Sequence, residues 1–439
     1  MRRHWRLVAL AALLAGGCGT WFGESDGPPL PGKRVSVLEH QRGVSADPLA
    51  AAEPILLASP VTNAEWPQAG GNAAHDMQVL EAAAIGRPRW EAGIGAGVAS
   101  SRPVMPSPVV AGGRVFTVDT ENVVSAFDMR TGRRQWEVDL VQNEDDDDAA
   151  PGGLAWDDGR LFVTTGFGKV IALDAASGKR LWRRSVDMPV HAPPTVADGR
   201  LFFITVENQL RALSAADGSD IWPPYQALGE LARLLGGPSP AAAGGVVVAP
   251  FSSGELVALR GDNGRSLWAD SLAPARRTDE LSSLAQIRAR PAISGGRVVA
   301  ISAGGILGAF DVRTGQRLWD RELGGQQSPW IAGRQVYLIA NDGQLVCLSF
   351  ETGRILWVTQ LPTFDDEKKR KDPIFWAGPV LVRDGLLLAG TNGKIMTVAA
   401  QDGRIISSNK MADRFSVAPV VAEGAVFLLD DDGTLAAYR

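Results

Sequence analysis

The sequence predicts an all-β fold: an eight-bladed β-propeller of four-stranded antiparallel blades, closed by pairing the N-terminal strand with the C-terminal blade. Three observations carry this. A segment ending in tryptophan recurs from Gly86 to Gly403, in seven steps of about 45 residues. Each copy follows short Val-rich runs bounded by Gly, Asp and Asn, the pattern of strands joined by hairpin turns. The two chain ends carry complementary fractions of one unit.

The first full copy, Asp128-Met129-Arg130-Thr131-Gly132-Arg133-Arg134-Gln135-Trp136, returns as Asp174 to Trp182, Ser214 to Trp222, Arg260 to Trp268, Asp311 to Trp319 and Ser349 to Trp357. A half copy, Gly86 to Trp90, precedes them, and a worn copy, Ala399 to Ser407, has lost its tryptophan. Asp and Thr side chains bond turn amides, and Gly supplies positive φ. A tryptophan opening the outermost strand is costly to leave in water, so Trp90, Trp136, Trp182, Trp222, Trp268, Trp319 and Trp357 are expected to pack between neighbouring sheets. The upstream strands run from Val109 to Val118 and from Val123 to Asp128, and the same pattern begins near Leu154, Thr195, Ala241, Ala292, Trp330, Val380 and Val420. The last unit supplies three strands, and Trp90 to Ile94 supplies the fourth, which removes both open edges.

Composition narrows the function. The chain has 439 residues, 45% of them hydrophobic and 21% charged, with a net charge of -5, which argues against a general nucleic-acid binder. Gly 50 and Pro 27 fit a chain full of tight turns. Two cysteines, Cys18 and Cys347, exclude a disulfide framework and a cysteine-based zinc site. His4, His40, His75 and His191 are not spaced as metal ligands. No nucleophile-base set, phosphate loop or carboxylate pair emerges, so no catalytic residue, metal site or cofactor is expected. Cys347 stands where other units have Ala126, Ala172, Ala212, Ala258 or Ala309, and reads as a small buried residue.

Residues 1–17 read as a signal peptide: Arg2, Arg3 and Arg6, then the apolar run Leu7 to Ala15, too short to span a bilayer. Ala15-Gly16-Gly17-Cys18 resembles the bacterial lipobox, with Ala15 in place of the usual leucine. The resemblance implies cleavage before Cys18, lipidation of its thiol and, with Gly19 next, sorting to the periplasmic face of the outer membrane. Each buried CH₂ of such a chain adds ~0.8 kcal/mol to membrane attachment. Residues 18–62, rich in Pro, Gly, Ser and Ala, then read as a lipidated, flexible tether, and 63–439 as the propeller.

The repeats resemble those of quinoprotein dehydrogenases, which would imply a redox enzyme using pyrroloquinoline quinone (PQQ) and calcium. The chain lacks an adjacent cysteine pair and an evident Glu, Asn and Asp ligand set. Over nearly its whole length it is more similar to the BamB family, lipoprotein subunits of the β-barrel assembly (Bam) machinery. Trp66-Pro67-Gln68-Ala69-Gly70-Gly71-Asn72-Ala73-Ala74-His75 looks like that family's entry segment. The resemblance implies a non-enzymatic scaffold that binds the periplasmic domains of BamA and helps deliver unfolded outer-membrane clients. A propeller scaffold for another envelope complex is the remaining alternative.

The family's contact loops fall after Trp222 and Trp268. Its Leu-x-Leu-Arg pattern lies on Ala232-Arg233-Leu234-Leu235, and its Asp-x-Asp pattern on Gln286-Ile287-Arg288, where both acids are absent. The resemblance therefore implies Leu231, Arg233, Leu234, Leu235, Ile287, Arg288 and Arg290 as partner-binding residues. The alternative reading of Leu231, Leu234 and Leu235 is a short helical turn that caps its own blade. The acidic run Glu144 to Asp148 reads as a solvated loop or a calcium site, and Asp365 to Lys371 as an exposed loop. Phe375 and Trp376 are expected to tuck under the next blade.

Overall fold

Strand-forming runs and glycine turns build eight sheets in the computed structural model, which describes residues 44–51, 54–82, 84–141, 149–228, 237–273 and 286–439. Each sheet has four antiparallel strands. The first blade comprises Val109–Ala111, Arg114–Val118, Val123–Asp128 and Arg134–Asp139. Six more follow, with inner strands Pro151–Asp157, Thr195–Ala197, Ala241–Ala243, Ala292–Ser294, Trp330–Ala332 and Trp376–Val382. The eighth takes Val420–Ala422, Ala425–Leu429 and Thr434–Tyr438 from the C-terminus and Trp90–Gly93 from the N-terminal side. Trp90 pairs with Ala437 and Gly93 with Thr434, so the ring closes as the sequence predicts. First strands are almost wholly buried and fourth strands alternate between exposed and covered, which sets the first strand of every blade at the axis.

The repeated turn explains the tryptophans. Asp128 Oδ1 accepts from Thr131 N at 2.9 Å and from Thr131 Oγ1 at 2.8 Å, and the Thr131 hydroxyl holds the Asp128 carboxyl below its usual range. Asp311 and Thr314 repeat the pattern. The turn glycine, at φ +70° in Gly132, receives the tryptophan of the preceding blade. A Cβ on Gly132 would lie 2.5 Å from Trp90, and one on Gly218 would lie 2.8 Å from Trp182. Gly178, Gly264, Gly315, Gly353 and Gly403 meet Trp136, Trp222, Trp268, Trp319 and Trp357 in the same way. Each indole also donates Nε1–H to a carbonyl of that next turn, as in Trp90 to Met129 O at 3.1 Å and Trp357 to Ala400 O at 3.0 Å. Blade eight has no turn between its third and fourth strands, because those strands come from opposite ends of the chain. A seventh-blade tryptophan would have no glycine to meet, and Ser407 stands in its place. A cleft of about 400 Å³ beside Ser407 is lined by Ile85, Leu387, Ile395, Thr397, Ile406 and Met411.

Residues 61–81 make a belt around the axis. Trp66 exchanges backbone hydrogen bonds with Val110 of blade one, and Pro67 O accepts from Trp156 N of blade two. The Gln68 side chain pairs with both backbone groups of Val196 in blade three. Ala73 O and Ala74 O accept from Ala242 N and Ile293 N of blades four and five. Gln78 bonds Trp330 Nε1 and Gly333 N of blade six, Leu80 bonds Leu381 and Arg383 of blade seven, and Asn63 bonds Glu423 and Val421 of blade eight. Val61 and Leu80 then bridge the belt's two ends. The belt thus satisfies the inner edges that strand pairing leaves open. Trp66 stacks on Trp330, a residue three blades away around the ring, with centroids 6.2 Å apart, and fills the axis at that level.

Two expectations need correction. Residues 44–62 do not all behave as a tether: Ala50 is buried, Asp47 N bonds Ile355 O, and Ile55 and Leu57 pack on the core. Apolar side chains in that stretch have blade surface within reach. Trp376 tucks in, with Nε1 bonded to Pro362 O, but Phe375 is 66% exposed. Consecutive residues at the start of a strand point to opposite faces, so only one of the pair faces inward. Asp365 to Lys371 lies on an exposed two-stranded hairpin, Phe364–Asp366 with Lys371–Pro373.

Gly264→Ala should cost about 2–4 kcal/mol, because it adds a left-handed Ala penalty to a clash with Trp222. Gly244→Ala, at φ +57° with open space around it, should cost only ~1 kcal/mol. Urea midpoints of the two variants measure the difference, and equal losses would refute the packing role. Removing residues 1–94 takes away both the belt and the closing strand. Thermal unfolding followed by circular dichroism should then lose its cooperativity, whereas a melt matching the full chain would mean that closure is made elsewhere.

Candidate functional site

The connections from each fourth strand to the next first strand emerge at one end of the ring. Those after Trp222 and Trp268 join consecutive blades, so they lie side by side. Leu231, Arg233, Leu234 and Leu235 fall outside the described residues, as do Cys18 and the run Glu144 to Asp148. The ends of both connections are described and are anchored. Asn208 Nδ2 donates to Leu228 O at 2.8 Å, Leu228 N donates to Glu255 Oε2 at 2.8 Å, and Gly237 N donates to His191 O at 3.1 Å. In the second connection Ala303 N donates to Gln286 O and Ile287 N to Phe251 O. Residues of both meet around one pocket of about 60 Å³ lined by His191, Asn208, Gly237, Ser252, Gln286 and Arg288.

The described site residues separate into three roles. Ile287 is 1% exposed and belongs to the core between blades four and five, so it sets the connection's path from beneath. Arg288 is half-buried, donates Nη1–H to Gln326 Oε1 at 3.0 Å, and has its pKa lowered by burial. Arg290 turns inward beside the belt: its backbone N donates to Ser328 Oγ, and its Nε lies next to Gly70. Alternation separates adjacent Ile287 and Arg288, but it would put Arg290 on the side of Arg288; residues 286–291 form no strand, so the period does not hold there. Leu228, 67% exposed at the edge of the first connection, is an apolar surface residue that the sequence reading did not single out. Its position just past the fourth strand was the available signal. His191, whose pKa burial lowers, was also passed over because a single histidine carries no spacing pattern.

Among the described residues no group of three or more His, Cys, Asp or Glu is placed to hold a metal ion. Cys347 is buried in blade six, where burial pushes its thiol up. The only other cysteine in the sequence is Cys18, so no adjacent-cysteine disulfide can form to stack a quinone.

Comparison with known proteins agrees with the repeats. The family model described as outer membrane protein assembly factor BamB matches residues 73–147, 123–359 and 364–439. BamB of Escherichia coli strain K12 is 30% identical over 351 residues, covering 79% of this chain and 87% of the relative. BamB of Xanthomonas campestris is 31% identical over 356 residues, covering 80% and 85%. Among solved structures, BamB from Moraxella catarrhalis superposes with a TM-score of 0.65 at 19% identity, covering 80% of this chain and all of that one. A europium-containing methanol dehydrogenase reaches 0.66 at 16% identity, covering 89% and 90%, which shows a shared propeller fold and nothing more. The repeat, the closing strand and these matches together show that the chain belongs to the BamB family of outer membrane protein assembly factors.

Proposed function

We propose that the chain is a non-enzymatic scaffold subunit of the Bam complex, which binds the periplasmic domains of BamA and assists delivery of unfolded β-barrel clients. The observation that carries this reading is family membership across most of the chain, joined to two adjacent connections whose anchored ends meet at one pocket. The docking surface is built on residues 228–238 and 286–288. Leu231, Leu234 and Leu235 supply its apolar centre, and Arg233 and Arg288 its rim. Arg290, turned toward the axis, does not belong to it, and Ile287 supports it from the core. The described ends of the connections are anchored to the blades at Leu228, Gly237 and Ile287, which limits the entropy lost there on binding. Cys18 carries the lipid that holds the protein on the periplasmic face of the outer membrane. A redox quinoprotein is the second reading, favoured by the fold shared with the methanol dehydrogenase. Addition of PQQ and calcium to purified protein should leave the absorbance spectrum that of the free quinone.

Leu234→Ala with Leu235→Ala should weaken binding of the purified BamA periplasmic domains at least tenfold, about 1.4 kcal/mol or more, with little change in melting temperature. Adding Arg288→Glu should lower the association rate further, most strongly at low salt. Calorimetric titration with parallel melting curves tests this. Unchanged affinity in the triple variant excludes the surface, and a stability loss equal to the affinity loss assigns the leucines to blade capping. Cys18→Ser should accumulate uncleaved precursor and abolish acyl labelling. A mature variant that stays with outer membranes after a high-salt wash would refute the anchor.

A further inference from the structure

Arg290 is a half-buried charge without a carboxylate among the described residues. Three other half-buried arginines have one: Arg211 pairs with Asp220 at 2.6 Å, Arg317 with Asp270 at 2.7 Å and Arg102 with Glu121 at 2.6 Å. Among the described residues Arg290 makes no ion pair, and its buried Nε has no hydrogen-bond partner. The side chain reaches the axis. A Cβ added to Gly70 of the belt would lie 3.2 Å from Arg290 Nε and 2.7 Å from His75 Cδ2, so the two side chains flank the same backbone atom. Gly70, at φ +84°, is the residue that lets them come this close.

His75 completes the chemistry. It is 6% exposed, and its Nδ1 lies 2.7 Å from Pro291 O. A carbonyl only accepts, so Nδ1 carries the proton and Nε2 is left as a lone-pair acceptor. That Nε2 is buried and has no hydrogen-bond partner among the described residues. Burial, then the charge of Arg290, lowers the imidazole pKa to about 3, so His75 is neutral at physiological pH. The nearby carboxylate, Asp76, is engaged with Gln78 and Ser294. The belt thus brings together a permanent cation with a planar donor fork and a neutral acceptor, and among the described residues neither Arg290 Nε nor His75 Nε2 has a partner. A partly buried cation without a counter-charge is costly to keep, and each unsatisfied buried group calls for an explanation.

We infer that the central channel contains an oxyanion-binding site, in which the Arg290 guanidinium grips a phosphoryl or carboxylate group beside His75 and Gly70. The planar fork matches either oxyanion. The site lies on the channel side of blade five and is distinct from the surface proposed for BamA, so neither depends on the other.

The test uses the purified full chain at constant ionic strength, held with sodium chloride. Inorganic phosphate and, separately, acetate are titrated by calorimetry and by melting temperature. Wild type should bind one phosphate per chain saturably and melt higher as phosphate rises. Arg290→Met should bind at least tenfold more weakly, and its melting temperature should not respond to phosphate. Should Arg290→Met fail to fold, Arg290→Lys keeps the charge but loses the fork and should still weaken binding severalfold. A response to phosphate alone assigns a phosphoryl group, and an equal response to acetate assigns a carboxylate. No saturable response to either anion in the wild type, or undiminished binding in a folded Arg290 variant, overturns the site.

Discussion

A tryptophan lying face-on against the turn glycine of the next blade is the contact on which this propeller depends. It removes a large apolar ring from water, satisfies the indole N–H with a carbonyl across the junction, and requires a residue without a side chain beneath it. One sequence position in each blade therefore specifies both its own turn and the seat of its neighbour. Phe116, Phe162, Phe202, Tyr337 and Phe427 back five of these indoles from the second strand of the same blade. A bulge between third and fourth strands, as at Ala126 and Phe127, accompanies the junction and adds local twist where the indole turns toward the next sheet. The rule also accounts for its exception. Ser407 follows from the eighth blade being joined from two chain ends, which leaves no turn for an indole to cover.

The belt solves a second problem that eight blades create. The inner edges present unpaired backbone groups to the axis, and one segment crossing all eight satisfies them in order. Gly70 and Gly71, both at positive φ, let the segment turn sharply enough to stay inside the ring. Placing Trp66 and Trp330 at the axis makes that level of the channel apolar. Arg290 and His75 are brought beside the belt by the same geometry. Arg288 and Arg290 lie two residues apart on one connection, so the surface proposed for a partner and the anion site proposed at Arg290 share a scaffold without sharing residues.

Most of the architecture was legible in the chain because repetition averages out local ambiguity. Any single Val-rich run could have been a buried helix segment, but eight such runs, six of them followed by the same turn and indole, leave one reading. Closure was legible as well, since Val420 to Tyr438 lacks a strand that Trp90 to Ile94 supplies. The candidate surface was legible only as a place. Ile287, Arg288 and Arg290 lie within four positions of one connection, yet one is core, one is at the surface and one faces the axis. Spacing on an irregular connection has no period, so the sequence carries no signal for which way each side chain points.

The amino-acid sequence by itself determined the blade number, the turn and indole of each junction, and the joining of the chain ends, because these rest on contacts at fixed separations that repeat. Tertiary structure alone decided the course of residues 44–81, the exposure of Phe375 beside buried Trp376, and the meeting of Arg290 with His75 and Gly70. Several of those pairings join residues more than 200 positions apart, as His75 with Pro291, through a segment that occurs once. A contact made once between distant residues leaves no pattern in the chain, and only the closed ring brings its partners together.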